Sequence, residues 1–267
     1  MKRLLAYSPN LKQSWALVFI AMLCSAISYV AIGVIMQYAG APVQEWRYLF
    51  ESLLIFTVVA PLVVRFGRHG SYEPVASPRP SPLLWLLLVP FTLSISLATE
   101  PLAAWIPMPD ILKQAFDDVF QKNLPGFLGI VVLAPVYEEW LYRGIILKGL
   151  LKHYSPRKAI MWSAVIFSVI HLNPWQGVSV FFGALAIGWV YWRTRSLWCC
   201  IFMHAVNNAM SFLFIFFFPD ARFDMTLVTL AGSYYIYLYV ATLLVGVFSW
   251  IGIKNIFYPD AESDIWS

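Results

Sequence analysis

Two adjacent glutamates and an arginine interrupt an apolar part of the chain that runs from about Phe127 to Lys152. They are Glu138, Glu139 and Arg143. A charged side chain at the centre of a membrane helix costs roughly 2.5–3.5 kcal/mol on insertion scales, so such groups pair, face other helices or line a wet cavity. Glu139 and Arg143 are four residues apart and can pair along one helix face. Glu138 points about 100° away from Glu139 and is expected to face elsewhere.

Two histidines lie in later apolar runs of the chain. His171 closes the run that begins at Phe167, and His204 is followed four residues later by Asn208. Because residues four apart share a helix face, His204 and Asn208 are expected to face the same side. Polar groups avoid lipid, so we expect these side chains and the glutamates to converge on one water-accessible cavity.

This set of side chains is suited to amide hydrolysis by an activated water molecule. A carboxylate with a neighbouring histidine could take a proton from water, which then attacks a carbonyl carbon. His204 and Asn208 offer N–H donors to the oxyanion, and loss of one such donor costs roughly 2.7–4 kcal/mol in a known site. Alternatively, Glu138, His171 and His204 could hold Zn²⁺ with an open position for water. The sequence leaves both alternatives open.

The composition predicts an integral membrane protein. Of the 267 residues, 60% are hydrophobic and 12% are charged, whereas soluble domains carry about 25% charged residues. We predict an all-α transmembrane bundle that forms one domain over residues 1–267. The three cysteines form no C-x-x-C pair, so neither a disulfide framework nor a zinc ribbon is indicated. No basic, polar region is present to bind nucleic acid.

The hydrophobic pattern predicts about eight spans, and the basic residues alternate between the loops that join them, which places both termini in the cytoplasm. Arg65–Pro82 is predicted to be a cytoplasmic loop. Ile111–Lys122 is predicted to be either an amphipathic helix on the outer face or a plain loop helix packed on its neighbours. The predicted spans are approximately Ser14–Tyr38, Arg47–Val64, Leu83–Thr99, Phe127–Lys152, Pro156–Leu172, Trp175–Thr194, Ser196–Phe218 and Leu227–Ile253.

This topology places His171 near the outer end of its span, whereas Glu138 lies near the middle of the membrane. Asn173 and Pro174 follow His171 and end the helix. Non-helical backbone is tolerated at membrane depth where it lines a cavity or is buried in protein. We therefore expect the fifth span to be short, with its final turn below the outer surface.

Together the motifs resemble the CPBP family, which includes type II CAAX prenyl endopeptidases and Abi-type, bacteriocin-processing intramembrane proteases. The family pattern is E-E-x-x-x-R, then F-x-x-x-H, then H-x-x-x-N, and the matching residues lie within a catalytic core at about residues 127–218. In order, they are Glu138, Glu139, Arg143, Phe167, His171, His204 and Asn208.

The resemblance implies a role for each of these residues. Glu138 is the water-activating base, assisted by His171, and His204 and Asn208 stabilise the oxyanion. Glu139 and Arg143 support the site. Family members are described both as metalloproteases and as glutamate-dependent proteases, so Zn²⁺ is a possible cofactor.

The expected substrate is a membrane-associated peptide or protein in a bacterial cytoplasmic membrane, and the prenyl group of the eukaryotic substrates is not carried over. Two other classes remain open on the residues alone. One is a non-catalytic scaffold that keeps the polar cluster for structure. The other is an ion-coupled transporter, although its polar groups would be spread along a path. A haem held by His171 and His204 has no further support.

Overall fold

The computed structural model describes residues 8–39, 46–66, 80–104, 106, 123–217 and 230–256. Within these ranges the regular structure is helical throughout, which confirms the predicted all-α bundle. A helix lies at each of the eight predicted positions. They are α1 Leu11–Ala39, α2 Arg47–Phe66, α3 Pro82–Ala104, α4 Leu124–His153, α5 Pro156–Val169, α6 Pro174–Thr194, α7 Leu197–Phe217 and α8 Tyr235–Ile256.

Five helices in the described ranges are long and apolar enough to cross a membrane: α1, α3, α4, α7 and α8, the last together with the short 3-10 turn Gly232–Tyr234 before it. The full number of crossings and the cytoplasmic position of the termini stay predictions. The amphipathic helix predicted at 111–122 lies outside the described residues, as does most of the predicted cytoplasmic loop.

Helix α5 is short, as predicted. It has 14 residues, which span about 21 Å at 1.5 Å per residue, whereas the hydrocarbon core of a bilayer is about 30 Å thick. The helix ends at Val169, and Ile170 and His171 form the turn that follows. The depth of His171 in the membrane stays a prediction.

Helix α4 lies inside the bundle, in contact with α2, α5, α6 and α7. Every residue from Glu139 to Leu147 is buried, as expected for a helix segment that other helices surround. Leu141, Ile145, Ile146 and Leu147 have no exposed surface. Glu139 and Arg143 of α4 therefore lie in a protein interior and not against lipid.

Two π-helical turns divide α4, a feature that the sequence reading did not predict. They are Leu128–Leu133 and Tyr142–Leu147, on either side of the α-helical segment Ala134–Leu141 that carries both glutamates. Single π turns inside α-helices occur often at functional sites. Each π turn adds a residue to the helix and so changes the direction in which the following side chains point.

The remaining helices surround this centre. Helix α3 packs against α6, α7 and α8, while α1 packs on α2 and α5 packs on α6. Many large apolar side chains of α1 and α8 are exposed, among them Phe19, Ile35, Tyr237 and Phe248. Exposed apolar surface of this extent suits the lipid-facing side of a membrane bundle.

Candidate active site

Glu139 and Arg143 form the ion pair that their spacing predicted. Nη1 of Arg143 donates to Oε1 of Glu139 at 2.8 Å. The Arg143 side chain is 1% exposed and the Glu139 side chain is 0% exposed. Nη2 of Arg143 donates to the backbone oxygen of Ala184 on α6 at 3.2 Å. Removing one partner of a buried pair leaves an uncompensated charge, so the two residues depend on each other.

His204 on α7 lies between the two glutamates. Its Nδ1 is 2.7 Å from Oε1 of Glu139, and its Nε2 is 3.8 Å from Oε2 of Glu138. A carboxylate held by an arginine accepts hydrogen bonds and does not donate them, so Nδ1 carries a hydrogen. The Glu138 side chain is 25% exposed and that of Glu139 is 0% exposed. Glu138 is thus the glutamate that a substrate or solvent can reach.

His171 lies in the turn after α5 and is oriented by that turn. Its Nδ1 is 2.8 Å from the backbone oxygen of Phe167. Because a carbonyl oxygen only accepts, Nδ1 carries the hydrogen, and Nε2 of the neutral ring keeps a lone pair. The turn is tied to α6 by the Ser168 hydroxyl, which donates to the Gly177 oxygen at 2.7 Å. Leu172, next to His171, has a positive φ of 51°.

The aromatic ring of Phe167 joins the two histidines. Its centroid is 5.2 Å from that of His171 and 5.9 Å from that of His204, both in edge-to-face arrangements. The Tyr142 ring lies 4.7 Å away, and Cζ of Arg143 lies 4.8 Å from the Phe167 centroid. Both imidazoles therefore lie on the same side of α4, which agrees with the predicted convergence.

Asn208 contacts a different part of α4 from His204. Its Nδ2 donates to the backbone oxygen of Ile130, in the first π turn, at 2.9 Å. Its Oδ1 accepts from Nδ2 of Asn207 at 3.3 Å, and Oδ1 of Asn207 accepts from the Ser96 hydroxyl of α3 at 2.6 Å. We call Ser96, Asn207 and Asn208 the amide chain. Asn208 faces α4, as its spacing from His204 predicted, but it contacts the backbone there.

The structure therefore divides the six predicted site residues into two groups. Five lie around His204 and Phe167, and Asn208 lies one helical turn away in the amide chain. We call Glu138, Glu139, Arg143 and His204 the charged cluster.

Several contributors were missed by the sequence reading. Asn207 and Ser96 are polar residues in apolar runs, so each had a sequence signal. The contact with the Ala184 backbone had none, because a carbonyl oxygen is present at every position.

Three of the predicted site residues are also the predicted zinc ligands. Among the His, Cys, Asp and Glu side chains that the structure describes, no group of three or more is placed to hold a metal ion. The described geometry therefore gives no support for a three-ligand site formed by Glu138, His171 and His204. Zinc binding stays a prediction, and the steps proposed below use the side chains alone.

Comparison with known proteins agrees with the motifs. Residues 120–210 match the family described as type II CAAX prenyl endopeptidase Rce1-like. Comparisons with curated proteins and with solved structures found no match. The matched range covers α4 to most of α7, and it includes every residue of the three motifs. The match supports the resemblance to the CPBP family, which contains the type II CAAX prenyl endopeptidases, that the motifs predicted.

Proposed function

We propose that the protein is an intramembrane endopeptidase that hydrolyses a peptide bond of a membrane-associated peptide or protein in a bacterial cytoplasmic membrane. One observation carries this proposal. A single imidazole, His204, lies between a reachable carboxylate, Glu138, and the buried pair of Glu139 and Arg143. A structural ion pair needs only the buried partners, and the second carboxylate on the other side of the ring suits proton transfer.

The first step is the activation of water. Glu138 takes a proton from a water molecule, and the resulting hydroxide forms a bond to the carbonyl carbon of the substrate. His171 assists, because its Nε2 lone pair can accept a hydrogen bond from the same water while Nδ1 donates to the Phe167 oxygen. The substrate carbonyl becomes a tetrahedral intermediate with one negatively charged oxygen.

The second step is stabilisation and collapse of this intermediate. In its doubly protonated form, His204 donates from Nδ1 to Glu139 and can donate from Nε2 to the oxyanion, as in other sites with fixed donors. The intermediate then expels the amide nitrogen, which receives the proton from Glu138. No covalent bond to the protein forms, and one water is consumed for each bond broken.

Glu139 and Arg143 act as positioning residues in this scheme. Glu139 fixes the tautomer and the orientation of His204 through the 2.7 Å contact, and Arg143 fixes Glu139 while it is bound to the Ala184 oxygen of α6. A histidine oriented by a buried carboxylate is a recurring arrangement in hydrolytic sites.

The test is cleavage by purified protein in liposomes together with membrane proteins extracted from the expression host. New peptide amino termini are counted by mass spectrometry. We expect cleavage by the wild type and a loss of at least about 100-fold in Glu138→Gln, because the amide has the same size but cannot take a proton. Glu100→Gln, in α3 and outside the matched range, is the control and should cleave normally.

Addition of a zinc chelator distinguishes water activated by a carboxylate from water activated by a metal ion. Since the proposed steps use side chains alone, cleavage should be unchanged when a strong zinc chelator is added. Loss of cleavage that added Zn²⁺ restores would replace carboxylate activation by metal activation. Full cleavage by Glu138→Gln would show that Glu138 is not the base that activates water. The absence of new termini with the wild type would favour a non-catalytic scaffold protein.

A further inference from the structure

We propose that Asn208 is a positioning residue whose side chain replaces the backbone donor that Pro135 lacks, and so holds the π turn before Glu138. The proposal concerns the first π turn of α4 and the amide chain. Its consequences for turnover rest on the proposed peptidase function, whereas its consequences for stability do not.

The backbone oxygen of Ile130 has no backbone donor in the π pattern. The N–H of Ala134 donates to the oxygen of Gly129, five residues earlier, which is the π pattern. In the same pattern the next N–H, that of residue 135, would donate to the oxygen of Ile130. Residue 135 is proline and has no N–H. A backbone carbonyl without a donor is costly inside a membrane protein. Nδ2 of Asn208 lies 2.9 Å from this oxygen and supplies the missing hydrogen.

The second step is the orientation of the Asn208 amide. Because the Ile130 oxygen can only accept, the nitrogen of the amide must face it. The amide oxygen then faces Nδ2 of Asn207 at 3.3 Å, and the Asn207 oxygen faces the Ser96 hydroxyl at 2.6 Å. Donors and acceptors alternate correctly along the whole chain. Ser96 belongs to α3, outside the matched range 120–210, so a helix without motifs helps to orient the amide.

The third step connects this bond to the site. Glu138 lies eight residues after Ile130 on the same helix, and the π turn that contains Ile130 ends at Leu133, before Glu138. An extra residue in a helix rotates all following side chains by about 100°. The π turn therefore sets the direction of Glu138, and the Asn208 bond stabilises that turn. On this assignment Nδ2 of Asn208 gives one of its two hydrogens to the backbone and acts by positioning the helix, while His204 is the proposed donor to the oxyanion.

The test is a double-mutant cycle on thermal stability. We compare the Tm of the wild type, Asn208→Ala, Pro135→Ala and the double variant in detergent. Asn208→Ala should lower Tm by about 2–6 °C, the shift that loss of one hydrogen bond produces in a chain of this size. In the Pro135→Ala background the loss should fall below half of that value, because the N–H of residue 135 can now pair within the helix. Equal losses in both backgrounds, or no loss in the wild type, would overturn the proposal.

Two controls test whether the effect of Asn208→Ala depends specifically on Pro135. Pro90→Ala removes another proline from a helix interior, and in that background Asn208→Ala should keep its full effect on Tm. Asn255→Ala changes an exposed asparagine near the end of α8 and should leave Tm unchanged. A Pro90→Ala background that reduces the loss as much as Pro135→Ala would show a general effect of proline and would contradict the specific pairing.

Measurement of kcat distinguishes a positioning role of Asn208 from direct contact between Asn208 and the reacting atoms. For a peptide substrate found in the liposome assay, Asn208→Ala should lower kcat about tenfold or more, with KM changed less than about twofold. Pro135→Ala in the same chain should restore most of kcat if Asn208 acts through the helix. If Asn208 donates to the oxyanion, Pro135→Ala restores none, and the positioning role is refuted. If the wild type cleaves nothing, the peptidase proposal fails while the Tm cycle still decides the pairing.

Discussion

Helices α4 and α7 meet at two levels, and the polar groups at the two levels differ in kind. At one level His204 contacts Glu139 and Glu138 of the charged cluster; at the other, Asn208 contacts the backbone of Ile130. The charged cluster brings ionised side chains into a buried region, whereas the amide chain uses neutral groups only. The charged cluster leaves Oε2 of Glu139 and Nε of Arg143 buried without a hydrogen-bond partner, and its Glu138 side chain is 25% exposed.

This difference separates the residues that we propose to take part in the reaction from those that join the two helices. Neutral amides cost little when they are buried and paired, so they suit a joint between helices. Buried charges are expensive, and replacing them with apolar side chains often stabilises a protein. The four ionisable groups of the charged cluster therefore fit the proposed reaction better than a packing role. Three predictions test this contrast, beginning with the largest expected effect.

The largest effect is expected in the charged cluster. Glu139→Leu leaves Arg143 buried without a carboxylate and should cost about 3–5 kcal/mol of stability, measured by denaturant titration of the helical circular dichroism signal. Adding Arg143→Met should recover most of that loss, because the pair is then replaced by apolar side chains, while cleavage stays absent. Arg65→Met, at the exposed end of α2, is the control. A double variant no more stable than the single would contradict this account.

An intermediate effect is expected at Phe167, whose ring contacts both histidines of the site. Phe167→Leu should lower kcat about ten- to 100-fold, because a small misplacement of catalytic groups has effects of this size. Phe212→Leu is the matched control, since Phe212 stacks edge-to-face on Phe127 near the amide chain. Both variants should lose similar stability, measured as Tm. Equal losses of kcat in the two variants would show that the ring of Phe167 has no special role.

The smallest effect is expected at the far end of the amide chain. Ser96→Ala removes the hydroxyl that donates to Asn207, and should cost about 0.5–1.5 kcal/mol in the same denaturant titration. The hydroxyl also lies 3.1 Å from the Thr92 oxygen, so it serves the helix as well as the chain. Ser233→Ala, at an exposed serine, should change nothing. A loss as large as that of Glu139→Leu would erase the distinction between the two levels.

The sequence was sufficient for the parts of the site that depend on local spacing. Glu139 and Arg143 pair because a helix places residues four apart on one face, whatever surrounds them. His204 and Asn208 share a face for the same reason. The all-α membrane bundle was also predictable, because long apolar runs leave the backbone no other way to pair its polar groups.

The sequence was insufficient where contacts join distant segments. Spacing showed that Glu138 and Glu139 point differently, but it could not show that both flank one imidazole of α7. It also gave no reason to expect π turns, although Pro135 marked a place where a helical hydrogen bond is impossible. Asn208 was predicted only through the resemblance to donate to an oxyanion, and its bond to Ile130 became visible with the packing of α7 on α4.

The sequence by itself thus determined the class of the protein, its family motifs and the helix face of each polar residue, because these depend on composition and on the helical period. Only the tertiary structure decided which glutamate is buried, which nitrogen of each histidine is engaged and what the amide of Asn208 contacts. Those properties depend on which helices pack together and at what rotation. A change of one residue in the register of α4 would turn both of its glutamates by about 100° relative to α7.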